Sequence, residues 1–256
     1  MSFLAGLVSS TRARVAEAKA KVTEDALEQR LASVPAPRDF AAALVGDRIR
    51  VIAEIKRATP SRGPLDLDLD AGRLALAYAD GGAAAISVLT EPDHFKGSLE
   101  DLEAARVAQL PLLRKDFILD EFQLMEARAA GADAILLIVR ILGDRLEPLL
   151  RATRALGMEA LVEVFHEHEL ETAIAAGASV VGVNHRDLET FQVDPRRTLA
   201  LAPLIPPGVI LVAASGVSTS HEVQELRAAG VHAILVGEGL VTASDPAAKL
   251  RELIGA

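Results

Sequence analysis

The 256-residue chain contains no cysteine, no tryptophan and one tyrosine, and only 3% of its residues are aromatic. Without cysteine there is no disulfide framework, no thiolate metal site and no thiol nucleophile. So few aromatics leave little for stacking on nucleobases, and the seven Phe are scattered. A formal net charge of −9 argues against nucleic acid or an anionic membrane surface as a partner. No apolar run approaches the ~20 residues that span a bilayer. The opening MSFLAGLVSSTRARVAEAKAK has no basic segment before its short apolar patch, so it does not read as a signal peptide. Acids follow its arginines, which weakens a transit-peptide reading. The expectation is a cytoplasmic protein, monomeric for want of an assembly motif.

Half of the chain is hydrophobic and a quarter is charged, enough for one large core. Short apolar runs alternate with Ala/Leu/Glu/Arg-rich segments of helical period. The runs fall at 51–56, 84–90, 110–117, 134–139, 160–165, 180–184, 209–215 and 233–238, each followed by a helical stretch. A small-residue stop recurs as GGA at 81–83, AGA at 130–132 and 176–178, and AGV at 229–231. Glycine there can adopt the left-handed conformation that turns a helix end into the next strand. Strand–helix alternation demands parallel pairing, and eight units close into a (β/α)8 barrel. An open doubly wound sheet is disfavoured, because no G-x-G-x-x-G follows the first strand. Residues 1–45 hold two further helical stretches, about 4–22 and 24–33, expected to cap the barrel bottom or reach its rim. Residues 46–256 form the barrel domain.

The stretch VIAEIKRATPSRG (51–63) carries two charges on a strand that is otherwise apolar. Alternation puts Ile52, Glu54 and Lys56 on one face and Val51, Ala53 and Ile55 on the other. Later strands repeat the device. Lys115 shares a face with Leu113, Glu163 with Leu161 and Asn184 with Gly182, and the seventh strand ends in Ser215. In barrels of this kind the chemistry sits where the strands end. A structural ion cluster would also use these charges, but an apolar layer is usually at least as stable. Two lysines beside two carboxylates suit general acid–base catalysis. A second, glycine-rich constellation comprises ASGVS (214–218) and VGEG (236–239). Backbone N–H groups of Ser215, Gly216, Gly237 and Glu238 are candidates for holding a phosphate. His166, His168 and His185 make a poor metal site, and Glu167 and His168 read as a helix start. LDLDLD (65–70) reads as a solvated loop.

Six ordered motifs carry a resemblance: AEIKRATPSRG (53–63), HFKGSLEDL (94–102), LRKDFILDEFQ (113–123), LVEVF (161–165), GVNHRDL (182–188) and LVGEGLV (235–241). Across essentially the whole chain the sequence resembles the indole-3-glycerol phosphate synthase family. The resemblance implies a cofactor- and metal-free carboxy-lyase of tryptophan biosynthesis. Such an enzyme converts 1-(2-carboxyphenylamino)-1-deoxyribulose 5-phosphate to indole-3-glycerol phosphate, CO2 and water. It implies Lys115 as the acid that protonates the substrate ketone. Glu163 and Lys56 become the acid–base pair of the later steps, with Glu54 and Asn184 orienting substrate and lysines. It further implies Arg186 near the anthranilate carboxylate, and Phe95, Phe117 and Pro60 lining the aromatic pocket with Ser61 nearby. The chain departs from the family at Ala214, where the pattern has glutamate before Ser-Gly. That departure implies slower turnover. A Schiff-base phosphosugar aldolase and a non-catalytic phosphosugar-binding scaffold are the alternatives.

Overall fold

The computed structural model describes residues 3–255. Eight parallel strands close into a barrel: β1 (Arg50–Ile55), β2 (Ala85–Leu89), β3 (Leu112–Lys115), β4 (Ala134–Ile138), β5 (Glu159–Val164), β6 (Val180–Asn184), β7 (Ile210–Ala214) and β8 (Ala233–Val236). Each pairs with its sequence neighbours, and β1 closes the ring against β8 in the register Ile52↔Leu235. The expected strands are therefore present, shortened by a residue or more at most ends.

The period-two alternation sorts side chains into two cores. Val51, Ala53 and Ile55 pack outward with the helices, in a cluster that includes Ile86, Val88, Leu112, Ile135 and Leu137. Ile52, Leu113, Leu161, Val212 and Leu235 fill the bore. All four small-residue stops form as expected. Gly82, Gly131, Gly177 and Gly230 have φ of 83–92°. The residue after each donates its N–H back to a helical carbonyl, from Ala83 to Tyr78, Ala132 to Ala127, Ala178 to Ala173 and Val231 to Leu226. Starts are set as firmly, with Asp70, Ser98, Asp120, Thr219 and Asp245 each accepting a first-turn N–H at a helix N-cap.

The N-terminal segment, expected at the bottom of the barrel or at its rim, contacts both ends. The helix Phe3–Lys21 brings Phe3 to the barrel mouth, while Phe40 and Leu44, both fully buried, join the bore cluster. The latter sit at the opposite end, since the adjoining Arg38 backbone N–H bonds Asp133, the residue that precedes β4. Between them, Leu27 and Val22 pack on Phe122 of the helix Glu121–Ala129. Two features had no periodic signal: a ribbon pairing Ala58–Thr59 with Gly63–Pro64, and the short helices Phe40–Ala43 and Val139–Leu142.

Candidate active site

Glu54 is the hub of the mouth. It is 2% exposed, and its two oxygens meet two ammonium groups: Lys56 Nζ at 2.8 Å from Oε1 and Lys115 Nζ at 3.1 Å from Oε2. Burial alone would push this carboxyl up, but the two lysines hold it down to about 2. Lys115 is shifted the other way. Burial disfavours its charge, yet Glu54 and Glu163 together raise it above the ordinary lysine value. The single tyrosine, Tyr78, is buried behind this group and donates its hydroxyl to the Glu54 carbonyl at 3.1 Å. Gly237 completes the fit. A Cβ there would lie 2.5 Å from Glu54 Oε1 and 2.9 Å from Lys56 Nζ, so glycine just after β8 leaves the ion pair room in its present place.

Glu163 is in a different state. It is 5% exposed, forms no ion pair within 4.0 Å among the described residues, and accepts one hydrogen bond, from Asn184 Nδ2 at 3.1 Å. Burial raises it above the usual carboxylate range, against the opposing pull of Lys115 and Asn184. The expected cluster of two lysines and two carboxylates is therefore asymmetric: Glu54 forms ion pairs with both lysines, whereas Glu163 feels Lys115 only at longer range. Asn184 Oδ1 in turn accepts the Arg186 N–H at 3.0 Å, and the Arg186 guanidinium donates to the Phe191 carbonyl at 3.1 Å.

These groups face a chamber of about 630 Å³ lined by Glu54, Lys56, Lys115, Asn184 and Arg186, with Pro60, Ser61, Phe95 and Phe117 also on its wall. Phe95 and Phe117 lie 6.5 Å apart and continue into a smaller recess of about 40 Å³ that reaches Glu163. β8, beside β1 in the closed ring, and β7 next to it bring Ser215, Gly216, Gly237 and Glu238 to the same chamber. All the candidate residues thus border one mouth. Ser215, read as the end of the seventh strand, lies one residue beyond it. Ala214 is the inward end of β7, laddered to Asn184, and Ser215 turns with φ of 70° into Gly216 at 74°. A non-glycine residue in that region carries strain of a kind that clusters at functional sites. Glu238 turns its carboxylate to Arg62 at 2.6 Å.

Several residues of the mouth escaped the sequence reading. Phe3 packs edge-on against His94 and Phe191 with centroids 5.2 and 4.8 Å apart. Glu91, fully buried, accepts the backbone N–H groups of Asp93, His94 and Phe95 and so fixes Phe95. Arg14, on the N-terminal helix, stands 3.6–3.9 Å from Glu91, Asp93 and Asp116 and ties that helix to the loops after β2 and β3. Glu91 follows the end of an apolar run, among Thr90, Pro92 and Asp93, where a charge reads as an ordinary loop residue. The long separation in sequence hid Arg14 and Phe3.

Comparison with known proteins gives the chain a family. The family model described as indole-3-glycerol phosphate synthase matches residues 4–253. A protein of Mycolicibacterium vanbaalenii bearing that name is 50% identical over 99% of this chain and 94% of its own length. One of Streptomyces coelicolor, indole-3-glycerol phosphate synthase 2, is 49% identical over 98% of both. Among solved structures, 3-hexulose-6-phosphate synthase from Salmonella typhimurium superposes with a TM-score of 0.65 at 15% identity, covering 81% of this chain and 97% of that one. At that identity the likeness is one of fold alone.

Proposed function

Because the chain belongs to the indole-3-glycerol phosphate synthase family, we propose a specific division of labour among its mouth residues. The activity is the family's decarboxylating ring closure, on a small phosphorylated substrate. The phosphate is assigned to the backbone N–H groups of Ser215, Gly216, Gly237 and Glu238. The anthranilate ring lies between Phe95, Phe117 and Pro60, near Ser61, with its carboxylate toward Arg186. Holding both ends folds the substrate so that the ring carbon bearing the carboxylate meets the ketone, and positioning of this kind lowers the barrier by several kcal/mol.

As that C–C bond forms, Lys115 donates a proton to the ketone oxygen and leaves a hydroxyl. The C–CO2 bond then breaks and its electron pair restores the aromatic ring. Lys56 donates to the departing hydroxyl, which leaves as water, and Glu163 removes the proton from the adjoining carbon. Two protons are given and one is taken, matching the single proton that loss of CO2 from a carboxylate consumes. Glu54 holds Lys115 charged and both lysines in place, and Asn184 orients Glu163. The observation that carries this reading is the bridging of Lys56 and Lys115 by one buried carboxylate that faces the chamber. Residues 1–45 serve as a helical extension of the barrel domain 46–256, in a cytoplasmic monomer, a reading supported by charge and composition.

The test is to mix the protein with 1-(2-carboxyphenylamino)-1-deoxyribulose 5-phosphate and follow indole fluorescence and CO2. Both should appear at an enzyme-dependent rate, and borohydride should trap nothing on Lys56 or Lys115. Saturable binding of a non-reacting analogue without product would instead make the chain a scaffold, and a trapped adduct would make it an aldolase.

A further inference from the structure

The loops after the neighbouring strands β1 and β8 are joined by an ion pair, Arg62 Nη1 to Glu238 Oε1 at 2.6 Å. Arg62 sits at the tip of the small ribbon formed by Ala58–Thr59 and Gly63–Pro64, where its backbone N–H bonds Thr59 Oγ1 at 3.1 Å. The backbone of that tip is held by this bond, while the Arg62 side chain is 70% exposed and the Glu238 side chain 27% exposed. An ion pair this open to water adds little stability.

The location of the pair gives it another use. Arg62 and Glu238 border the same wall as Ser215, Gly216 and Gly237, the wall to which the phosphate is assigned. A carboxylate beside bound phosphate is a like charge and weakens binding. A guanidinium there is the group best shaped to grip phosphate through paired N–H donors. Arg62 therefore has two possible acceptors on one wall, and the phosphate carries about −1.5 to −2 charge against −1 for the carboxylate.

We propose that Arg62 exchanges partners, holding Glu238 when the mouth is empty and the substrate phosphate when it is filled. The pair is then a built-in competitor. Glu238 neutralises the arginine and ties the β1 loop to the β8 loop until a dianion displaces it, and recapture of Arg62 by Glu238 assists release of the phosphorylated product. This rests on the phosphate reading of that wall and adds a side chain to it.

The two halves of the pair should behave oppositely, which a static bridge would not. The readout is competitive inhibition by inorganic phosphate, for the wild type, Arg62→Ala, Arg62→Lys and Glu238→Gln. Loss of a charge-assisted hydrogen bond in Arg62→Ala should raise the phosphate Ki by about ten- to a hundredfold, with Arg62→Lys between it and the wild type. Glu238→Gln should lower that Ki several-fold by removing the rival acceptor. Equal weakening in Arg62→Ala and Glu238→Gln would show a simple latch and overturn the exchange, as would a Ki unmoved by Arg62→Ala. Failure of phosphate to compete in the wild type would overturn the phosphate wall itself, a distinct result.

Discussion

Two layers of the barrel bore lie one inward step apart and are chemically opposite. On β1 the step runs from Ile52 to Glu54, on β3 from Leu113 to Lys115 and on β5 from Leu161 to Glu163. The lower residues join an apolar cluster with Phe40 and Leu44. The upper ones are charges that face a chamber, Glu54 and Glu163 buried and Lys115 half-buried. Burial of an apolar side chain contributes roughly 1.5–3 kcal/mol to folding, whereas a buried ion pair can often be replaced by apolar groups at no cost. The lower layer thus holds the fold, and the upper layer spends its polarity on chemistry. A cut between the two tasks falls within two residues on a single strand.

Removing the most central charge gives the largest separation. Lys115→Met should lower kcat by about 10²–10⁴-fold, with a smaller fall in unfolding temperature than an apolar truncation in the lower layer, because Glu54 keeps Lys56 as its partner. Gly237→Ala comes next. Its Cβ would displace the Glu54–Lys56 pair, and a misplacement of about 1 Å costs on the order of 10²-fold in turnover. In the lower layer, Leu113→Ala should cost about 2–5 kcal/mol of stability, seen as an earlier denaturant midpoint, while the folded fraction keeps most of its activity.

Smaller effects test the contrast between the two carboxylates. Burial raises Glu163, so its charged, proton-accepting form is lost as pH falls through a value above the ordinary carboxylate range. Asn184→Ala deletes a hydrogen bond that favours the charged form. The acid limb of kcat/KM should therefore move to higher pH, and a limb that stays or moves down would remove Glu163 from the base role. Glu54 behaves in the reverse sense. Its carboxyl is depressed to about 2, so the stability it contributes is present above 4.5 and lost as pH falls toward 2. The smallest effect is at Ala214, which is 4% exposed at the inward end of β7. Ala214→Glu should raise kcat/KM severalfold by adding a carboxylate to the mouth, and no gain would end the idea that its absence slows the enzyme.

The same contrast explains what the sequence made legible. Alternation along Ile52–Glu54–Lys56 and Leu113–Lys115 is a local property, so the bore, the outer core and five strand-end residues could be read directly. The glycine stops were legible for the same reason, since each completes its turn within six residues. Contacts between distant segments were not. Arg14 meets Glu91 and Asp116 only after the N-terminal helix crosses the rim, and Phe3 reaches Phe191 by the same route. The asymmetry between Glu54 and Glu163 was hidden too, because it depends on which ammonium group reaches which oxygen in three dimensions. Ser215 was misplaced by one residue because strand propensity runs on through ILVAAS and does not register the left-handed turn.

The measurement that tests the account most directly is a paired one on Lys115→Met and Leu113→Ala, neighbours on the inward face of one strand. Unfolding free energy and single-turnover rate would be determined on both with 1-(2-carboxyphenylamino)-1-deoxyribulose 5-phosphate. The account predicts that Lys115→Met is inactive and the less destabilised of the two, and that Leu113→Ala is destabilised and active where folded. If Lys115→Met instead unfolds while keeping its turnover, the mouth charges are structural and the division between the two layers is wrong.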